Sequence, residues 1–500
     1  MDGRGMDGRG IYAYLPDDVF ALCFRGVSAE SRAVSQDFLR VFDMQVDTLR
    51  IELRGAEPRE VRDLRVHVIG RLTGLTGIEV RGGGDEVMDL LSRIPSPEKV
   101  RVVDCRAHAT TLLDLSPLSM CTGLTELDVS GTRVSDLSHL SLCVALVHLN
   151  LCDVHVSDLS PLSSCTGLVV VNLDSTKVTD VSPLKHCVGL TELKLSYTSV
   201  IDLTPLSSFT ALSKLDMCGS LLHDLDTLSM CTGLTSLIVA LTDVVDLSPL
   251  TSCTGLRFLD VSETAVSDLA PLSALVALTH LEVSHTRVSE LSQLTRCLGL
   301  LYLSCGKTNV TDMSPLKLFT RLTSLYLDDE SLSDLMPLSA LVALTCLDAS
   351  YTSVSDLSPL TRCTGLLFLS LAHTKVSDLS LLTFFTGLES LKLGDNTALS
   401  DLVPLSALVA LTHLDASHTS VSDLSALAAC IDLVSLHLSS TSVLNLTPLS
   451  GCTRLSILGL QDTRVSDLSP LSRCTGLLYL WLHGTSLAGF SRINGQLMTA

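Results

Sequence analysis

One 22-residue repeat occupies most of this chain. Its consensus is L-x-x-L-x-L-x-x-T-x-V-S-D-L-S-P-L-S-x-C-T-G, and seventeen copies run from Leu124 to the copy that begins at Leu477, with one residue inserted near Asn396. A single short strand cannot bury its apolar face alone, whereas strands from successive copies, stacked about 4.8 Å apart, form a parallel sheet. The fixed period therefore predicts a solenoid.

The first half of the repeat predicts a strand and a tight turn. In the copy at Leu124, the side chains of Leu124, Leu127 and Val129 are expected to point inward, because side chains alternate along a strand. Eight residues after the leading Leu, thirteen copies carry Thr. The other four copies have Val154, Ser220, Glu330 and Asn396 at this position. We expect the Thr hydroxyls to pair backbone groups that the turn leaves without strand partners.

The second half of the repeat predicts a short 3₁₀ or α turn on the opposite side. Asp recurs twelve residues after the leading Leu, where it is expected to accept hydrogen bonds from nearby backbone N–H groups. In Ser160-Pro161, the serine is a candidate N-cap, and proline suits the first helical position. Gly167 and Gly189 are expected to adopt a left-handed conformation at the helix end.

Seventeen cysteines first suggest a disulfide framework or a metal cluster, but the repeat points elsewhere. In other copies their most frequent position holds Phe or Leu, as at Phe209 and Leu275, which indicates a buried apolar site. Structural thiols are therefore favoured, with disulfides and metal ligands as the alternatives. The eleven cysteines that share this position are Cys121, Cys143, Cys165, Cys187, Cys231, Cys253, Cys297, Cys363, Cys430, Cys452 and Cys474.

Composition bounds the partners and the compartment. A net charge of −20 and a pI of about 5.0 argue against nucleic acid or an anionic membrane as the main partner. Residues 1–10 lack the apolar core of a signal peptide, and no apolar run approaches membrane-spanning length. Free thiols and these absences predict a cytoplasmic protein, with the nucleus as an alternative, and we expect a monomer.

The chain outside the regular repeats divides into four parts. We predict a disordered tail at 1–14, a helical segment at 15–44, degenerate repeats forming an N-terminal cap at 45–100, and a closing segment at 488–500 around a solenoid at 101–487. Strand-like sequences recur at 49–53, 75–80 and 100–104. The glycine run at 82–84 is expected to be a flexible connection.

The repeats resemble the short leucine-rich repeats of type-1 protein phosphatase regulators and bacterial internalins. The resemblance rests on L-x-x-L-x-L, on D-L-S-P-L and on the 22-residue step, with Thr for Asn as in many protozoan leucine-rich-repeat proteins, and it covers about three quarters of the chain. It implies an α/β solenoid, a horseshoe or arc with a parallel sheet on the concave face and short 3₁₀ or α turns on the convex face. It also implies protein partners on the concave face.

The segment at 15–44 resembles a degenerate F-box. The matching residues are Leu15-Pro16-Asp17-Asp18-Val19 with Leu22, then Val34-Ser35 and Phe38, which stands where the family has Trp. The resemblance implies docking on the adaptor subunit of a cullin-type ubiquitin ligase, with the repeats selecting the substrate. A pair of amphipathic capping helices is the alternative interpretation. The expected docking residues are Leu15, Pro16, Asp18, Val19, Leu22, Val34 and Phe38.

Strand positions two, four and six after the leading Leu should face outward, and these positions vary between copies. Aromatic side chains with acidic neighbours are good candidates for binding energy, so we expect a basic, partly apolar protein segment to dock along 256–370. Trp481 is equally well explained as a cover for the last strand. The candidate partner-binding residues are Phe258, His280, Tyr302, Tyr326, Asp348, Phe368, Tyr479 and Trp481.

The sequence gives little support for catalysis. It has no phosphate-binding loop, paired-Cys zinc motif or nucleophile motif in a suitable context, so we expect a non-enzymatic protein without a cofactor or metal. The side chains of His413, Asp415 and His437 occupy adjacent outward positions and could touch one another. Scattered His and Asp on such a face are usually solvated, so a protein-binding scaffold remains the favoured function.

Overall fold

A computed structural model describes residues 48–52, 76–106, 112–485, 487, 492–493 and 496–497. The chain divides into two compact units, residues 1–243 and residues 244–500, which we call the N-terminal and C-terminal units. The predicted tail at 1–14 and all seven F-box-like docking residues lie outside the described residues, so both assignments stay predictions.

The described part of the N-terminal unit contains nine parallel strands, each pairing with the next along the chain. The first three lie at the strand-like sequences that precede the regular repeats, which confirms their prediction. The strands are β1 (Thr48–Glu52), β2 (Gly77–Arg81), β3 (Val100–Asp104), β4 (Glu126–Asp128), β5 (His148–Asn150), β6 (Val170–Asn172), β7 (Glu192–Lys194), β8 (Lys214–Asp216) and β9 (Ser236–Ile238).

In the C-terminal unit, eleven described strands form the same consecutive parallel ladder. A short antiparallel pair, β21 (Arg492–Ile493) and β22 (Gln496–Leu497), follows. The eleven strands are β10 (Phe258–Asp260), β11 (His280–Glu282), β12 (Tyr302–Ser304), β13 (Ser324–Tyr326), β14 (Cys346–Asp348), β15 (Phe368–Ser370), β16 (Ser390–Lys392), β17 (His413–Asp415), β18 (Ser435–His437), β19 (Ile457–Gly459) and β20 (Tyr479–Trp481).

Short 3₁₀ helices return the chain between strands, as predicted. In the N-terminal unit they are Pro97–Lys99, Ser116–Met120, Ser138–Leu140, Ser160–Ser164, Ser182–Leu184, Thr204–Ser208 and Asp226–Met230. In the C-terminal unit they are Ser248–Ser252, Ala270–Ala274, Ser292–Leu294, Ser314–Leu318, Met336–Ala340, Ser358–Arg362, Ser380–Phe384, Val403–Ala407, Ser425–Ala429, Thr447–Gly451 and Ser469–Arg473.

One α-helix, α1 (Gly84–Leu91), stands where the glycine run was expected to be flexible. The helix starts at the last glycine of that run and buries Val87, Leu90 and Leu91, which lie on one face. A β-carbon at position 84 would come within 2.6 Å of the Leu112 side chain, which shows how closely Gly84 packs against Leu112. Close packing, and not flexibility, explains this glycine.

Seven apolar positions of each repeat form the core. In the copy at Leu124, the buried strand residues are Leu124, Leu127 and Val129, with at most 2% of their surface exposed. The return segment buries four more side chains per copy, the last of them the Cys, Leu or Phe position. Because each copy contacts mainly its neighbours, the core extends along the ladder within each unit.

The Thr column pairs the turn as predicted. The Thr264 hydroxyl donates to the Val261 carbonyl over 2.6 Å, and the same bond recurs in most described copies. Asn396 makes more side-chain hydrogen bonds than Thr does at this position. Its side-chain NH₂ donates to the carbonyls of Leu371 and Leu393, and its oxygen accepts from Thr374. Asn396 thereby joins two copies at the inserted residue.

The prediction that serine caps the 3₁₀ helix is wrong. Ser160 is the first residue of its helix and makes no side-chain cap bond; instead its N–H and hydroxyl both donate to the Asp158 carboxylate, each over 2.8 Å. These two bonds lower the pKa of Asp158. Aspartate is therefore the capping residue, and the hydroxyl of serine is used to hold it.

The left-handed residue also lies elsewhere than predicted. Gly167 and Gly189 do not have positive φ; the left-handed position is seven residues after the leading Leu, as at Tyr197 and Tyr351, where φ is 55°. A β-carbon at position 167 would lie 3.4 Å from the Leu146 carbonyl, an ordinary van der Waals contact, and other copies have alanine at this position, as at Ala211 and Ala277. The Tyr197 N–H donates to the Cys218 carbonyl over 2.7 Å, so this corner residue extends the pairing between copies.

The eleven repeat cysteines are buried and lie outside any disulfide, which agrees with structural thiols at an apolar position. Several thiols donate to carbonyls of the preceding copy, as Cys187 Sγ does to the Cys165 oxygen over 3.4 Å. Burial raises the pKa of the Cys187 thiol to about 11, with Cys165 adding to the effect. These thiols are therefore protonated at neutral pH.

Candidate functional site

The alternation along each strand creates an open sheet face in the C-terminal unit. At β11, the inward Leu281 is buried, whereas His280 and Glu282 on either side of it are only partly buried. The same pattern holds at β10 and β13 to β15, apart from Ser370. Consecutive strands therefore bring side chains from different copies together on this face.

Four of the predicted site residues form a continuous aromatic row, which we define as Phe258, His280, Tyr302 and Tyr326. The ring centroids of Phe258 and His280 are 6.0 Å apart, those of His280 and Tyr302 are 5.9 Å apart, and both pairs are stacked. Tyr302 and Tyr326 are closer, at 5.2 Å, with their rings tilted by 36°. The row crosses β10 to β13 and offers a band of ring edges and faces.

Hydrogen bonds hold the two tyrosines of the row in place. The Tyr302 hydroxyl donates to the Glu282 carboxylate. Burial raises the pKa of Glu282, and the nearby Asp260 raises it further, although hydrogen bonds from Tyr302 and Ser304 act in the opposite direction. Tyr326 lies with its hydroxyl 3.3 Å from Cys346 Sγ, and this contact, together with burial, raises the pKa of Tyr326 to about 12.

Three carboxylates accompany the aromatic row without a described cationic partner. Asp260 accepts hydrogen bonds from the N–H and hydroxyl of Ser262 on one oxygen, and Asp348 accepts one from the Ser350 N–H. Glu282 is bonded to Tyr302. Among the described residues, no Lys, Arg or His nitrogen lies within 4.0 Å of these three carboxylates, whereas ion pairs occur at other sites.

Asp348 lies beyond the row and lines a depression of about 400 Å³, and Phe368 lies on the next strand, β15. The Lys392 ammonium lies 5.4 Å from the centre of the Phe368 ring. The depression also carries Tyr351, whose exposed ring stacks on His373 at 4.3 Å. Lys392, Tyr351 and His373 were not predicted as site residues from the sequence. Of the three, only Lys392 could have been found, because its strand position predicts an outward-facing side chain. Six residues that line the depression are Ser304, Tyr326, Asp348, Ser350, Ser370 and Lys392.

Tyr479 and Trp481 form a separate aromatic group on β20. Their ring centroids are 6.3 Å apart, and Trp481 also stacks on His437 at 5.7 Å. Trp481 reaches His437 across Gly459, which has no side chain to fill the intervening strand. The structure therefore does not join this group to the aromatic row, although both lie in the C-terminal unit.

The residues considered for acid–base or metal chemistry do not converge. His413 Nδ1 lies 2.8 Å from the Thr412 hydroxyl, and His437 contacts Ser435 and Trp481, so neither histidine bonds to Asp415. Among the described residues, no group of three or more His, Cys, Asp or Glu side chains is placed to hold a metal ion.

The open sheet face of the N-terminal unit differs in chemistry. Many of its side chains are charged or amide-bearing, and several of these pair with one another: Asn150 donates to Asp128 over 2.9 Å, and Lys214 pairs with Glu192 over 3.1 Å. A depression of about 300 Å³ there is lined by such polar side chains and by valines and leucines. The ring stacking that marks the C-terminal unit has no counterpart on this described face.

No protein-family model matches the chain, and no curated protein matches it either. Solved structures do. The functional domain of InlJ from Listeria monocytogenes, whose structure includes a cysteine ladder, is 23% identical, with a TM-score of 0.50 over 71% of each chain. A leucine-rich-repeat protein from Leptospira interrogans is 18% identical, with a TM-score of 0.53 over 78% of this chain and 92% of its own.

A third similar structure is the plant peptide hormone receptor RGFR1 in complex with RGF2. It is 18% identical, with a TM-score of 0.52 over 88% of this chain and 80% of its own. In the part of this chain that the structure describes, no helix has the length and hydropathy to cross a membrane. The consecutive parallel strands, the 3₁₀ returns and these likenesses agree, and the chain has the leucine-rich-repeat fold.

Proposed function

We propose that the chain is a non-enzymatic protein-binding scaffold, and that a basic, partly apolar segment of its partner docks on the open sheet face along 256–370. The observation that carries this proposal is the aromatic row of the C-terminal unit, flanked by three carboxylates with no described Lys, Arg or His nitrogen within 4.0 Å. The repeat pattern predicts that this sheet face is the concave one.

The chemistry of the face favours a cationic and apolar partner. Lysine and arginine side chains are attracted to aromatic faces within about 6 Å of the ring centre, and more strongly where water is excluded. Glu282 is partly buried, so its negative charge is poorly solvated, as the raised pKa reflects. A partner cation near Glu282 would recover part of that lost solvation energy, while ring contacts would supply apolar burial.

A structural neighbour supports a recognition role. RGFR1, which has this fold, is a plant peptide hormone receptor in complex with RGF2. From the sequence alone we also propose a cytoplasmic location and a monomeric state. Fluorescence microscopy of the tagged chain and light scattering of the purified chain test them. A ubiquitin-ligase adaptor role through the F-box-like segment stays a prediction, because that segment lies outside the described residues.

A photo-crosslinking experiment tests the docking site. A photo-reactive amino acid replaces Ser324, which lies on β13 beside Tyr302, and the chain is irradiated in native cell extract. We expect crosslinks to a protein segment rich in Lys or Arg, identified by mass spectrometry. The triple variant with Tyr302, Tyr326 and Phe368 changed to Ala should lose these crosslinks. Undiminished crosslinking by the triple variant would show that the site is misplaced.

The matched control uses large side chains outside the open sheet face. Met230, Met336 and Phe384 are 67%, 58% and 54% exposed and belong to the return segments. Changing these three residues to Ala removes a similar amount of apolar surface but leaves the aromatic row intact. Crosslinking should therefore survive in the control variant. Its loss would indicate general instability or nonspecific adhesion in place of docking on the row.

A further inference from the structure

We infer that the depression beside the aromatic row is a two-charge subsite, in which Asp348 receives a basic side chain of the docked segment and Lys392 receives an acidic one. The inference rests on the proposed function and adds that the partner segment must carry an acid as well as a base. It also orders these groups: the base lies between the apolar anchor and the acid.

The floor of the subsite is made of small side chains. Ser350 and Ser370 contact each other through their hydroxyls, 2.6 Å apart, and Ser370 is 1% exposed. Ser304 and Ser284 form an equivalent pair nearby, also at 2.6 Å. Because these serines satisfy one another, the floor needs no ligand for its own stability. It leaves a volume of about 400 Å³ between larger side chains, enough for the end of a partner side chain.

The two charges stand on either side of Ser370. Strand pairing places Asp348 in register with Ser370, and Ser370 in register with Lys392, on β14, β15 and β16. With neighbouring strands about 4.8 Å apart, the backbones at Asp348 and Lys392 are about 10 Å apart. The Lys392 ammonium lies near the Phe368 ring of β15, which brings it one strand closer to Asp348.

Neither charge is neutralised within the described structure. The Asp348 carboxylate accepts one hydrogen bond, from the Ser350 N–H, and no described cation lies within ion-pair distance of it. The Lys392 ammonium contacts the Phe368 ring and pairs with no described carboxylate. A second lysine of the same depression, Lys307, is already paired with Asp328 over 3.4 Å. The unused charges are therefore one negative and one positive.

A base and an acid on one short segment can reach both charges. Side chains four residues apart on a helix are about 5–6 Å apart, and those two apart on a strand are about 6–7 Å apart. The aromatic row lies on the Asp348 side of the subsite, since Tyr326 is on β13 and Lys392 is on β16, whereas Phe368 on β15 has the Lys392 ammonium over its ring. The partner therefore presents, in space, an apolar anchor, then a base, then an acid, whichever way its chain runs.

A random library of 12-residue peptides displayed on phage tests this order. We expect the purified full chain to enrich peptides with the pattern apolar–base–acid. The double variant D348K/K392D reverses the two charges, and it should enrich the pattern apolar–acid–base. The milder variant D348N/K392Q keeps a hydrogen-bond acceptor for Ser350 and should lose the charge order while still enriching apolar peptides. Urea unfolding of each variant checks its fold.

A matched control swaps a charge pair on the other open face. Glu192 and Lys214 of the N-terminal unit form an exposed pair at 3.1 Å, and E192K/K214E should enrich the same peptides as the unaltered chain. One enriched peptide is then synthesised, and its affinity is measured by fluorescence anisotropy. The neutral variant should bind it about fivefold more weakly, as expected for ion pairs worth about 1 kcal/mol.

The outcomes separate this inference from the proposed function. Retention of the apolar–base–acid pattern by D348N/K392Q, or enrichment of peptides that are only basic, would overturn the two-charge subsite. If the triple variant at Tyr302, Tyr326 and Phe368 enriches the same peptides as the unaltered chain, the proposed docking site itself is wrong. A third outcome is that the triple variant loses enrichment while the unaltered chain enriches purely basic peptides. That result would agree with the proposed function but reject the two-charge subsite.

Discussion

Two adjacent phenylalanines provide a direct test of the core. Phe385 is fully buried, whereas Phe384 is 54% exposed. A fully buried Phe withdraws on the order of 200 Å² from water, which at ~25 cal/mol per Å² is worth ~5 kcal/mol. Alanine retains only the β-carbon, so we expect F385A to lower the free energy of unfolding by about 3–5 kcal/mol. F384A should change it by less than ~0.5 kcal/mol.

Urea unfolding, followed by circular dichroism, measures both variants. Because long repeat arrays can unfold in parts, hydrogen exchange of the copies around position 385 should accompany it. F385L provides a finer test. Other copies carry Leu at this position, as at Leu341 and Leu408, so F385L should cost less than ~1.5 kcal/mol. Equal urea midpoints for F385A and F384A would refute the assignment of this position to a shared apolar core.

Three other predictions concern the thiols, the capping aspartates and the F-box-like segment. Alkylation of the native chain with iodoacetamide, followed by mass spectrometry, should modify the partly exposed Cys152, Cys218 and Cys346 well before the buried repeat cysteines; uniform rates would contradict the burial. Hydrogen bonds lower the pKa of capping aspartates such as Asp158, so their stabilisation is complete above the unfolded pKa of ~3.9 and is lost as pH falls through the lower folded value. Urea midpoints should therefore fall in acid, and less steeply for D158N; identical pH slopes would count against the caps. If the F-box-like segment is functional, the full chain should retain the cullin-adaptor subunit in a pull-down and L15A/P16A should not, while no retention by the unaltered chain would remove the adaptor hypothesis.

The repeat period was enough to predict the ladder of strands, the 3₁₀ returns and the buried cysteine position. These features depend on which positions recur as apolar, and a period of 22 displays them directly. The strands β1 to β3 also followed from local alternation. The helix α1 did not, since glycine at its start suggested flexibility and the packing of Gly84 on Leu112 is a tertiary effect.

The sequence predicted which strand side chains lie on the open sheet face, but not how they contact one another. Alternation placed Tyr302 and Tyr326 on the open face, but at different strand positions, so their contact at 5.2 Å depends on side-chain direction. The position of Lys392 over Phe368 has the same origin. The cap and the corner were misassigned for a related reason: Ser, Asp and Gly each suit several turn positions, and only the backbone geometry decides between them.

The left-handed corner has a consequence for how this protein can change. Its N–H donates to the neighbouring copy, whereas its side chain is exposed at residues as different as Tyr197, Glu263 and Lys307. None of the described corner residues with positive φ is Val, Ile or Thr, although these are common in the repeats, because branching at the β-carbon is poorly compatible with this conformation. Unbranched side chains of different size and charge can therefore be exchanged at these corners without changing the backbone pairing between copies, and neighbouring corners such as Tyr351 and His373 can contact each other.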